Sequence, residues 1–250
     1  MLVFFDFQLI NGFLSKKCCG KVWKSVECTT KVVSLQPDSV LKGPDRTSRN
    51  QFLMPNLYII SGCNGAGKTT ASLTVLPETL QCKEFVNCDE IAKGLSPLNP
   101  DSAKVAAGRL MLTLIKKHIA EKVDFAIETT LAAKSYHSLI IRAREQGYKA
   151  SLVYFWLQSP ELAIQRVAER VKHGGHHVDD SIIRRRYKAG IKNLFNLYCP
   201  VVDYFLFIDN SIMPSEIIAE GSIKSIKFYN EEKFKKIRQY DKSNSECQEE

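Results

Sequence analysis

The chain has 250 residues, 44% of them hydrophobic, and its 35 Lys and Arg against 27 acids give a net charge of +8. This apolar content supports one substantial core and excludes a disordered or fibrous chain. The positive balance favours anionic partners without choosing among nucleotide, nucleic acid and membrane.

The charge is uneven, because residues 1–53 carry 8 basic and 4 acidic side chains, leaving 27 and 23 for the rest. The opening MLVFFDFQLINGFLSKKCCGK is apolar, but Asp6, Gln8 and Asn11 interrupt it. It is too short to span a bilayer, so neither a signal peptide nor a membrane anchor is expected. Residues 29–53 show no sustained period and contain the turn formers Pro37, Gly43 and Pro44, so residues 1–53 read as a loosely specified extension. Met54 immediately precedes the first strand-like run and is expected to be the natural initiator, with residues 1–53 upstream of it.

From Met54 onward, strand-like runs alternate with helical periods. The expected strands are NLYIIS (56–61), EFVNCD (84–89), DFAIETT (124–130), ASLVYFWL (150–157) and YFLFIDN (204–210). Most are continuous apolar runs, as a sheet covered on both faces requires. Between them, ASLTVL follows the first strand, and Pro100 and Asp101 start a helix whose Ala107, Leu110, Met111, Leu114, Ile115 and Ile119 make one apolar stripe. Residues 134–146 give another helix, stopped at Gly147, and Ser159-Pro160 opens a fourth. Ile183, Tyr187, Ile191 and Leu194 mark a fifth, and beyond Asn210 a small hairpin around Gly221-Ser222 precedes a helix EEKFKKIRQY. The alternation predicts an α/β fold of three layers with a mainly parallel, five-stranded sheet over residues 54–240, followed by a polar acidic tail over 241–250. Ligands of such a sheet gather at the carboxyl ends of its strands.

The segment SGCNGAGKTT follows the first strand and opens a helix, and its Gly62-Cys63-Asn64-Gly65-Ala66-Gly67-Lys68-Thr69 satisfies G-x-x-x-x-G-K-[ST]. Ordinary residue frequencies produce such a match in roughly one in a hundred chains of this length. Glycines let backbone N–H groups turn inward around phosphate oxygens, and the helix beginning after Gly67 points its positive end at the same anion. Lys68 would reach the β and γ phosphates, Thr69 would offer a hydroxyl to Mg²⁺, and Asn64, Ala66 and Thr70 complete the cradle for ATP or GTP. A plain strand-to-helix turn explains neither the lysine nor the strand before it.

Other motifs narrow the use of that cradle. The guanine-reading [NT]KxD of switch GTPases and the LSGGQ of transporter ATPases are missing from the sequence, and nothing fits the Walker B strand ending in Asp-Glu with a helical lid domain after it that larger ATPase motors carry. A small-molecule kinase is left, which needs a carboxylate to deprotonate the acceptor and cations to neutralise the moving phosphoryl group. Asp89, at the end of the second strand, is the candidate base, with a helix N-cap as its alternative. Glu128, at the end of the third, would hold Mg²⁺ through water or grip the acceptor, with Thr129 assisting, or else is a solvated strand end. In RVAERVKHGGHHVDDSIIRRRYKAGIKN (166–193), two basic helices flank a Gly-Gly hinge and read as a lid. Arg170 and one of Arg184, Arg185 or Arg186 are expected to point inward, since three consecutive arginines on a helix cannot share one face. His173, His176 and His177 have no further ligand nearby in sequence and are read as polar lid residues, not a zinc site. Asn210, after the last strand, would hydrogen-bond adenine or serve a turn.

The eight cysteines form no CxxC pair, zinc spacing or disulfide framework, which fits a reducing cytoplasm. Cys63 and Cys88 flank the site as small buried residues whose position suggests sensitivity to thiol reagents.

In this order, LYIISGCNGAGKTT, EFVNCDEIAKGLSP, FAIETTL, SPELAIQRVAERV and IRRRY resemble the zeta toxin family of P-loop kinases from about Pro55 to Ser211. The resemblance implies that Asp89 is the base, that Glu128 lies in the acceptor pocket, and that lid arginines contact phosphates. It further implies transfer of the γ-phosphate of ATP to a sugar hydroxyl, with UDP-N-acetylglucosamine as the type of acceptor and a small antitoxin protein as partner. The characterised toxins carry their second lid arginine before the helix, where this chain has His176 and His177, so that role passes to Arg184 or Arg186. A polynucleotide 5′-hydroxyl kinase would use the same phosphate loop, but no strand here interleaves aromatic and basic residues as a nucleic-acid groove does. A nucleotide-gated binding protein would keep Lys68 and Thr69 without needing Asp89.

Overall fold

The computed structural model describes residues 54–78 and 80–242. The expectations for residues 1–53 and for the tail beyond 242, including the start at Met54, lie outside the described residues.

The sheet has seven strands in the order β2-β3-β1-β4-β5-β6-β7. They are β1 (Asn56–Gly62), β2 (Glu84–Val86), β3 (Phe125–Thr129), β4 (Lys149–Trp156), β5 (Tyr204–Asp209), β6 (Glu216–Ser222) and β7 (Ser225–Phe228). The first five run parallel, whereas β6 is antiparallel to β5 and β7 to β6. The five expected parallel strands are therefore present, but the C-terminal hairpin is no separate appendage and extends the same sheet to seven. The apolar run IIA in β6 is buried against the core, which is what draws the hairpin in.

β1 and β4 pair side by side and are buried on both faces almost throughout, as continuous apolar runs require. Leu57, Ile59, Phe125, Ile127, Leu152 and Phe207 are fully excluded from solvent. Truncating one of them, as in Ile59→Ala, would cost about 2–5 kcal/mol.

The helices are α1 (Lys68–Glu78), α2 (Cys88–Leu95), α3 (Lys104–Glu121), α4 (Ser135–Glu145), α5 (Pro160–Lys172), α6 (Asp180–Asn193) and α7 (Glu231–Lys242). Local chemistry sets several of their ends. Ser159 caps α5 by accepting from the Leu162 amide at 3.2 Å, with Pro160 in the first turn. A 3₁₀ turn, Pro100–Ala103, leads into α3, which buries Ala107, Met111, Ile115 and Ile119 of the expected stripe while leaving Leu110 exposed.

The second strand departs most from expectation. It stops at Val86, because the side chain of Asn87, itself still extended (φ −125°, ψ 120°), accepts from the amides of Asp89 and Glu90 and starts a helix there. Asp89 therefore lies in the first turn of α2 and not on a strand end, and the residue capping that helix is Asn87.

No helix among the described residues is long and apolar enough to cross a membrane. β1 lies between β3 and β4, so the chain crosses from one side of it to the other after β3. A crevice at the carboxyl end of β1 follows from that switch.

Candidate active site

Residues 62–69 fill this crevice. β1 ends at Gly62, whose φ of +144° and 2.4 Å approach of a virtual Cβ to the Phe155 carbonyl exclude any side chain. Gly65 turns at φ +78° beneath α5, where a Cβ would meet the Ala163 carbonyl at 2.8 Å. Ala66 donates back to the Cys63 carbonyl at 3.2 Å, closing the loop, and α1 begins at Lys68. Lys68 is 6% exposed and donates to the Cys63 carbonyl at 2.9 Å. Thr70 is exposed one residue beyond Thr69.

Parallel pairing sets Ile60 opposite Glu128, which delivers this carboxylate to the loop. Glu128 accepts from the Thr69 hydroxyl at 2.9 and 3.2 Å and stands 3.7 Å from the Lys68 ammonium. It also accepts from the Asn87 amide at 2.8 Å. Glu128 is thus a gathered group at the centre of the site, not a solvated strand end. Thr129, named beside it, turns its hydroxyl to the Leu131 amide at 3.0 Å and shapes the exit of β3. Leu131 is buried with φ +59°, and the carbonyls of Leu131, Ala132 and Ala133 are held by Asn193 and Tyr198.

Asp89 is exposed at the start of α2. Burial and the negative charge of Asp89 raise the Cys88 thiol above its usual range while Arg186 pulls it the other way, so the acid and the lid arginine share one electrostatic neighbourhood. Arg186 also donates to the Asn64 side chain at 3.3 Å, bringing α6 onto the phosphate loop. The neighbouring lid arginines lie elsewhere. Arg184 pairs with Glu161 on the exposed outer side of α5 and α6, and Arg170 donates to the His176 carbonyl at 2.6 Å, holding the hinge loop. His176 in turn stands 3.4 Å from Asp101, so the hinge loop touches the turn before α3. No three potential metal-binding side chains cluster among the described residues.

Asn210 is 1% exposed and donates to the Ala66 carbonyl at 2.8 Å, while its backbone amide reaches the Trp156 carbonyl. The expected adenine contact is thus replaced by a brace on the phosphate loop, because the side chain lies beneath the loop. Next to it, Asp209 pairs with Lys233 of α7 at 2.7 Å, and Lys233 also meets Glu216 at 2.6 Å.

Two residues of this site were missed in sequence. Arg166 lies half-buried under the loop, donating to the Ser211 carbonyl at 3.4 Å, and burial lowers its pKa against the pull of Cys63 and Asp209. Its place four residues before Arg170 in the same helix was the available signal. Asn87 had only its position two residues before Asp89, a cap spacing. Cys63 is buried and its thiol pushed up to about 11, chiefly by desolvation, so it stays protonated and unreactive at neutral pH, contrary to the expected thiol sensitivity.

The donor set around Thr69 is composed of oxygen, from one hydroxyl and one carboxylate, and that suits a hard cation carried in by phosphates, not a dedicated protein cage.

Comparison with known proteins bears on the family and the fold. The sequence model of the family described as Zeta toxin matches residues 41–197. An uncharacterized protein of Haemophilus influenzae (strain Rd) is 32% identical over 137 residues, which are 54% of this chain and 96% of that one. Among solved structures, AvrRxo1-ORF1:-ORF2 with ATP superposes with a TM-score of 0.58 at 16% identity, covering 74% of this chain. This chain spans only 63% of that one. A structure from the PezAT chromosomal toxin–antitoxin system of Streptococcus pneumoniae gives 0.53 at 15% identity, over 82% of this chain and 92% of that one. At these identities the structural likenesses show a shared fold. With the family match spanning well over half of its length, the chain belongs to the zeta toxin family of P-loop kinases.

Proposed function

We propose that the protein transfers the γ-phosphate of a bound nucleoside triphosphate to a hydroxyl of a small molecule, with a nucleotide sugar such as UDP-N-acetylglucosamine as the acceptor class. One observation carries this reading. Glu128 and Arg186 reach residues 62–69, which carry Lys68 and Thr69, from two other elements, and Asp89 opens the helix beside them.

In this scheme the turned backbone of residues 62–67 and the start of α1 hold the polyphosphate, and Lys68 leaves the Cys63 carbonyl to follow the charge that moves to the leaving oxygens. Thr69 and Glu128 would hold Mg²⁺, Glu128 through water, and the ion supplies neutralising charge at the transferring group. Arg186 adds a guanidinium from the lid side. Asp89 accepts the proton of the acceptor hydroxyl as the new P–O bond forms and the bond to the leaving diphosphate breaks. Arg170 is exposed and donates to the His176 carbonyl, and closing of residues 173–179 would swing it toward phosphate. Family membership, and the toxin–antitoxin system among the fold relatives, support a protein partner that restrains the activity.

The test is incubation of the purified chain with γ-labelled ATP and Mg²⁺ against nucleotide sugars and 5′-hydroxyl oligonucleotides. Label appearing in a nucleotide sugar is the expected result. Label in the oligonucleotides alone would replace this acceptor class, and failure to label any acceptor would remove the kinase reading.

A further inference from the structure

Asn87 spends both ends of its side chain. Its Oδ1 accepts from the Asp89 amide at 2.8 Å and from Glu90 at 3.3 Å, which starts α2. Its Nδ2 donates to Glu128 Oε2 at 2.8 Å, the same oxygen that receives the Thr69 hydroxyl at 2.9 Å. Asn87 is 6% exposed, so water does not compete for either bond. A cap needs only the acceptor half of this side chain, and serine, threonine or aspartate would supply that equally well. The donor half is explained by its contact with Glu128.

We infer that Asn87 is a positioning residue that fixes the Glu128 carboxylate toward Thr69 and, through the same planar amide, ties the backbone of Asp89 to it. The inference rests on the proposed nucleotide site. Glu128 has three kinds of neighbour: a hydroxyl, an ammonium and this amide. The amide is the one contributed from the acceptor side. Without it the carboxylate is free to follow Lys68 at 3.7 Å, and the oxygen set facing a phosphate-borne cation loses its orientation. Outer partners of this kind typically contribute 10–100-fold to metal affinity. The rigid amide thus converts one cap into a spacing rule between the carboxylate on β3 and the acid that opens α2.

The inference is tested on the full chain with Asn87→Ser and Asn87→Thr, whose shorter side chains keep a capping acceptor and lose the amide N–H that reaches Glu128. Calorimetry measures ATP affinity with Mg²⁺ and with EDTA, alongside thermal melting. The expected result is that the gain in affinity from Mg²⁺ shrinks by about tenfold or more in both variants, while EDTA-state affinity and melting temperature stay at wild-type values. In a Glu128→Gln background, Asn87→Ser should then change the Mg²⁺ gain no further, because its effect runs through Glu128. A full Mg²⁺ gain in both variants overturns the inference, as does a uniform loss of melting temperature and EDTA-state affinity, which would make Asn87 a cap alone. Wild-type protein that binds ATP in neither condition would overturn the nucleotide site itself and this inference with it.

Discussion

The phosphate side and the acceptor side of the crevice are built differently. Residues 62–69 sit on buried strands and are tied by side chains from distant parts of the chain: Asn210 at Ala66, Glu128 at Thr69, Arg186 at Asn64. Across the crevice, α2, the turn Pro100–Ala103 and α3 pack on a small satellite core of Ala92, Ala103 and Ala107, with Cys88 and Ile91 against it. Leu95, Leu98 and Val105 stand exposed on this side. Alanine side chains bury little area, so this small core adds little hold, and α3 is kept in place by Met111, Ile115 and Ile119 in the main core. Distant side-chain ties preorganise the dipoles that a triphosphate would meet, whereas the α2 side rests on small apolar contacts.

That contrast can be broken at either end. The largest expected effect is at Asp89, where Asn should lower transfer by about 10²–10⁴-fold and leave calorimetric ATP affinity at the wild-type value. Loss of ATP affinity instead would mean that the two sides are not separable. Lys68→Ala should cost about 10²–10³-fold in turnover and, unlike the first change, weaken ATP binding too. Gly62→Ala forces a side chain into the Phe155 carbonyl at φ +144° and should destabilise the fold by about 1–3 kcal/mol, read as a lowered melting temperature. Unchanged melting would show that the loop is less fixed than its geometry states. At the lid, Arg186→Ala should slow transfer, whereas Arg184→Ala, which removes an exposed pair, should stay within about twofold of wild type with no change in melting. Equal effects of the two would refute the division of their roles.

The phosphate side was largely legible in sequence, because its chemistry is compressed into eight consecutive residues and the strand before them. The parallel core strands were legible for a similar reason: LYII and LVYFW are apolar without alternation, and only a doubly covered sheet uses such runs. Less legible was everything decided by distance along the chain. EFVNCD reads as one strand, yet the cap at Asn87 ends it three residues early and turns Asp89 onto a helix, because a side chain hydrogen-bonding its own backbone outcompetes strand pairing. Helical spacing showed that Arg184, Arg185 and Arg186 diverge, but which one faces the loop depends on Glu161 and Asn64, which lie 23 and 122 residues away. Asn210 was placed near the nucleotide for its position after β5, and burial redirected it to the loop's own backbone.

The tie from Lys233 to Asp209 has a bearing on timing. Asp209 adjoins the asparagine that supports Ala66, so the support of the phosphate loop is anchored to a helix made more than 160 residues after the loop itself. A chain grown only through β5 therefore carries the complete motif but lacks this anchor.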